Sequence, residues 1–103
     1  MNNYNDGYIY LIMERKFMDT DEFIYKIKKT KRNSFLKFTD YPYNNIILFM
    51  SYTSNRHEDE KNLLKILNEK YKCRKDIGNK YFEDNNCMIQ STILEYFSKK
   101  ERI

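Results

Sequence analysis

Tyr8-Ile9-Tyr10-Leu11-Ile12-Met13 is apolar at every position. Successive side chains of an extended chain point to opposite faces, so a run without alternation suits a strand covered on both sides. It predicts the interior of a sheet, and the rest of the chain reads outward from it. Residues 14–22 are charged and carry Asp19, Thr20 and Asp21, which predicts a turn or short excursion. Residues 23–28 resume as a strand, with Phe23, Tyr25 and Ile27 on one face and Ile24, Lys26 and Lys28 on the other. The two runs predict a hairpin with a long connection.

Asn33 or Ser34 is placed to cap a short helix holding Phe35, Leu36 and Phe38. That helix must end before Tyr41-Pro42, because the residue before proline avoids the helical region. Residues 46–52, Ile-Ile-Leu-Phe-Met-Ser-Tyr, predict a third strand. From about Asn55 to Tyr71 the period becomes helical, with Glu60, Leu63, Leu64, Leu67 and Tyr71 on one stripe. A loop holding Ile77-Gly78-Asn79 and then Tyr81-Phe82 follows. Residues 85–98 predict a last helix, with Ile89, Ile93 and Phe97 stacked and Leu94 beside them. The order β-β-α-β-α-α predicts one α/β (α+β) domain over residues 1–103, with a core at about 7–98. Its sheet is small, three-stranded and antiparallel, with helices packed around it.

Composition bounds the function classes. A chain of 103 residues has room for one core, and 41% apolar with 33% charged residues argues against disorder. No apolar run reaches the roughly 20 residues of a membrane helix, so no membrane partner is expected. The opening MNNYNDGYIY lacks the basic segment and small-residue cleavage site of a secretion signal, so the expectation is an intracellular protein. Cys73, Cys87 and the single His57 form no zinc-ligand pattern, and the cysteines are expected as free thiols in or near the core. The net charge of +4 is modest, but its distribution is not. Lys26, Lys28, Lys29, Lys31, Arg32 and Lys37 fall together with no acid among them. They form a candidate nucleic-acid-binding run, the alternative being a solvated face.

Four stretches, in order, resemble the GIY-YIG nuclease superfamily. Gly7-Tyr8-Ile9-Tyr10-Leu11-Ile12 looks like its first motif, and Tyr25-Lys26-Ile27-Lys28-Lys29-Thr30 looks like its second. The second motif reads Y-K-I-G-x-T in the branch common in phages and large DNA viruses. Leu36-Lys37-Phe38 resembles the helix that follows. Glu60 with its helix, and Arg74-Lys75-Asp76-Ile77-Gly78-Asn79-Lys80-Tyr81-Phe82-Glu83, resemble the second half. For a viral member the resemblance implies residence in the cytoplasm or nucleus of a host cell.

The resemblance implies metal-dependent hydrolysis of phosphodiesters. Tyr10 takes the place of a tyrosine that helps deprotonate water, Lys37 that of a phosphate-holding arginine, and Glu60 that of the metal carboxylate. Mg²⁺ or Mn²⁺ is the implied cofactor if the protein is active, and no other is indicated. A carboxylate suits a hard cation, and an arginine fork suits two phosphate oxygens. The alternatives are a core aromatic for Tyr10 and helix-dipole stabilisation for Glu60.

The departures all run one way. Lys26 replaces the second motif's tyrosine, Lys28 a glycine, Lys37 the arginine, and Lys80 a glutamate. Lysine keeps charge but loses two-point geometry, and loss of one catalytic electrostatic group costs about 10²- to 10³-fold in rate. The expectation is therefore a nucleic-acid-binding module of this fold, with DNA ranked ahead of RNA. An active endonuclease using Tyr10, Lys26, Lys37 and Glu60, and a protein-interaction domain, are the alternatives. For a site, these four residues should line one concave surface.

Overall fold

In the computed structural model, residues 5–31 and 45–100 are described. The helix expected after Asn33, and with it Arg32 and Lys37, lies outside them. Among the described residues five strands and three helices follow in the order β1 (Gly7–Glu14), α1 (Arg15–Met18), β2 (Ile24–Lys31), β3 (Asn45–Thr53), α2 (Arg56–Lys70), β4 (Lys72–Cys73), β5 (Tyr81–Glu83) and α3 (Asn86–Lys100). The sheet runs β3-β1-β2-β5-β4 and every pairing is antiparallel. It thus has five strands rather than three, because the loop after α2 contributes two short ones. The excursion at 14–22 contains the four-residue helix α1.

β1 is interior, as its unbroken apolar run requires. Ile9, Tyr10, Leu11 and Ile12 are at most 3% exposed, so both faces are covered. On one face Ile9, Leu11, Tyr25, Ile27 and Phe82 meet Leu63 and Leu67 of α2 and Ile89, Ile93 and Phe97 of α3 in a single core. Burying each such side chain contributes about 1.5–3 kcal/mol. The opposite face carries a smaller cluster of Phe17, Ile24 and Tyr81. Phe23 lies just ahead of β2 and is exposed, so the face of that strand that packs against the helices begins at Tyr25. Leu94 also faces out, beside the buried Ile93. Of the two free thiols, Cys73 is half-buried and Cys87 is exposed, outside the core expected for it.

Both long helices start where the side chains dictate. Asn55 Oδ1 accepts the Glu58 backbone N–H at 3.2 Å at the head of α2, and Glu58 and Asp59 sit in its first turn. Asn85 Oδ1 does the same for α3, accepting the Cys87 and Met88 N–H groups at 2.8 and 3.3 Å. Each cap stabilises by roughly 1 kcal/mol. Among the described residues no helix is long and apolar enough to cross a membrane.

Candidate nucleic-acid interface

The site follows from a mismatch in strand length. β5 pairs with β2 only at Ile24, Tyr25 and Lys26, and the pairing closes with the Ile27 N–H donating to the Lys80 carbonyl at 3.0 Å. Among the described residues, β2 runs on to Lys31 against β1 alone. At this open rim, side chains from both faces of the sheet come within reach of each other. Lys26, Lys28, Lys29, Gly78, Asn79, Lys80 and Tyr81 line a cleft of about 470 Å³ there.

Lys26 and Lys28 come from the face away from α2. Cross-strand register sets Lys28 opposite Tyr10 and Lys26 opposite both Ile12 and Tyr81. Lys26 Nζ stands 5.0 Å from the centre of the Tyr81 ring, a cation–π arrangement. Burial pulls the Lys26 ammonium below the usual lysine range. Glu14 opposes that shift, while Lys28, Lys80 and Lys16 add to it. The Tyr81 hydroxyl donates to Glu14 Oε1 at 2.6 Å. Burial, and then that carboxylate, push the phenol up to about 12. Lys28 occupies its position in ordinary extended backbone, since no described residue has a positive φ. The glycine that the resemblance puts at this position is not needed for backbone angle here.

Lys29 and Lys80 meet Glu60 from the other side. Glu60 is only 4% exposed. Lys29 Nζ lies 3.1 Å from its Oε1 and Lys80 Nζ lies 3.1 Å from its Oε2. Each carboxylate oxygen therefore already holds an ammonium. Mg²⁺ asks for six oxygens in a near-octahedral shell. Among the described residues no group of three or more His, Cys, Asp or Glu side chains is arranged to hold a metal. A divalent cation at Glu60 would have to displace at least one of these two ammonium groups.

Lys37 lies outside the described residues, and the expected convergence of Tyr10, Lys26 and Glu60 is not what this arrangement gives. Tyr10 and Lys26 share one face of the sheet, whereas α2 brings Glu60 in over Ile9, Leu11 and Ile27 on the other. The physical reason is strand parity: Tyr10 is flanked by the two β1 residues that contact α2, so its own side chain points away. Lys31 ends β2 exposed and does not line the cleft.

Sequence reasoning left Lys80 and Asn79 out of the site. What puts them there is Arg74. Its guanidinium donates twice to Asp76, at 2.9 and 2.8 Å, and once to Glu83 at 3.2 Å. The Arg74 carbonyl accepts the Ile77 and Gly78 N–H groups at 2.9 and 3.0 Å. The guanidinium bonds to Asp76 are the largest cause raising the Arg74 pKa, and with the carbonyl contacts they hold Asp76, Ile77 and Gly78 around Arg74. They fold the connection between β4 and β5 into a tight loop that delivers Asn79 and Lys80 to the rim. The signal in the sequence was the Arg74–Glu83 stretch itself, whose charges pair with one another. No protein-family model, characterised protein or solved structure matches the chain.

Proposed function

We propose that this protein is a nucleic-acid-binding module of GIY-YIG type that holds phosphates at the rim of β2 and does not cleave them. The observation that carries the reading is the chemistry of the cleft. Four lysines, Lys26, Lys28, Lys29 and Lys80, line it, and Glu60, the carboxylate that meets Lys29 and Lys80, is occupied by both of those ammonium groups. Ammonium groups attract phosphate without base specificity. A carboxylate neutralised in this way has lost the role the family resemblance implies for it. Duplex DNA is the first candidate ligand and RNA the second.

The test is incubation of the purified protein with supercoiled plasmid in Mg²⁺ or Mn²⁺. Retarded migration with the plasmid left supercoiled is the expected outcome. Nicking would replace this reading with an active endonuclease. Neither retardation nor nicking, at low salt and micromolar protein, would favour a protein-interaction domain.

A further inference from the structure

We propose that Lys29 and Lys80 form a two-point phosphate site and that the Glu60 carboxylate is its internal occupant, competing with the phosphate of a bound nucleic acid. The inference rests on the nucleic-acid-binding reading and adds to it a device that lowers affinity from within the fold.

Three separate elements build the site. Lys29 comes from the rim of β2, Lys80 from the residue before β5, and Glu60 from the first turns of α2. Each ammonium takes a different oxygen of the same carboxylate at 3.1 Å, so the pair straddles a small planar anion. A phosphate presents two oxygens in the same manner. An ammonium has three donors, and these contacts engage one on each lysine.

Exposure gives the direction of approach. The side chains of Lys29 and Lys80 are 29% and 40% exposed, and that of Glu60 only 6%. Solvent therefore reaches the lysines from outside while the carboxylate lies beneath them. A phosphate entering from the cleft meets the ammonium groups first. Glu60 then either yields its oxygens to the newcomer or stays behind them as a like charge. Both arrangements oppose phosphate, and neither is relieved by salt as fully as an exposed pair would be, because the carboxylate is buried.

Glu60→Gln keeps the shape and removes the charge. Binding of a fluorescent duplex oligonucleotide, read by anisotropy between 50 and 200 mM salt, compares it with the wild type. The variant should bind roughly three- to tenfold tighter at the low-salt end, with a salt slope steeper by about one unit, as one more phosphate is neutralised. Wild-type binding with Glu60→Gln unchanged or weaker would overturn the inference, make Glu60 a positioning residue for the two lysines, and leave the nucleic-acid reading intact. Failure of both proteins to bind would overturn both. The wild type supplies a second readout that needs no variant. Its Glu60 side-chain carboxylate ¹³C resonance should move saturably as duplex is added, and a resonance that stays still while duplex binds would contradict competition.

Discussion

Asp59 and Glu60 are neighbours on α2 with opposite tasks. Glu60 pairs with Lys29 and Lys80 of the rim cleft, while Asp59, 1% exposed, ties three elements together. Its Oδ1 accepts from the Tyr96 hydroxyl at 2.7 Å. Lys100 Nζ reaches both its oxygens at 2.8 and 2.7 Å, and the Thr53 hydroxyl donates to Oδ2. Burial alone would raise the Asp59 pKa, but the hydrogen bonds from Lys100, Thr53 and Tyr96 outweigh it and hold the carboxyl below its ordinary value. A carboxyl lowered in the folded state stabilises above its unfolded pKa, near 4, and loses that contribution as pH falls through the folded value. Asp59→Asn should therefore cost about 2–4 kcal/mol at pH 7. It should also flatten the acid-side decline in stability below about pH 4. Urea denaturation at pH 7 and pH 3 checks both, and a variant as acid-sensitive as the wild type would contradict the account. Asp59 lies outside the stripe of Glu60, Leu63, Leu64, Leu67 and Tyr71, so its burial was not anticipated, and its partners Tyr96 and Lys100, 37 and 41 residues away, leave no local pattern.

At the scale of elements, the long ones were legible and the short ones were not. β2, α2 and α3 each span enough residues for a period of 2 or 3.6 to declare itself, and β1 and β3 declare themselves as long apolar runs. β4 and β5 have two and three residues, and α1 has four, too few for any period. β5 nonetheless decides the site, because it stops pairing with β2 at Lys26 and opens the rim. The faces of β2 were readable by alternation from Tyr25 onward, and so were the lysines on both. The meeting of those faces around the rim depends on where a neighbouring strand ends, which no local pattern carries. β1 has its own demand at Gly7. A Cβ there would overlap the Thr30 carbonyl and come 3.1 Å from Arg56 Cδ. The requirement is room, since Gly7 has no positive φ. Gly7→Ala should destabilise by about 1–3 kcal/mol through overpacking. A shift of the urea midpoint with an unchanged m-value would register it. An unshifted midpoint would mean that the β1–β2 end relaxes without cost.

The whole molecule separates its labour by side of the sheet. Helices α2 and α3 cover one face and supply half of the core residues there, so the rim of β2 and the loop before β5 are left to carry charge. The mild net charge of +4 hides this arrangement, because acids elsewhere on the chain offset the lysines gathered at one edge. The central claim is that these lysines hold phosphate, and the salt dependence of duplex binding tests it most directly. If about three to five cations engage, log Kobs should fall against log salt with a slope of roughly −3 to −5. Replacing Lys26 and Lys28 together with glutamine should make the slope shallower by about two units. An affinity independent of salt, or a slope unchanged by that double substitution, would contradict it.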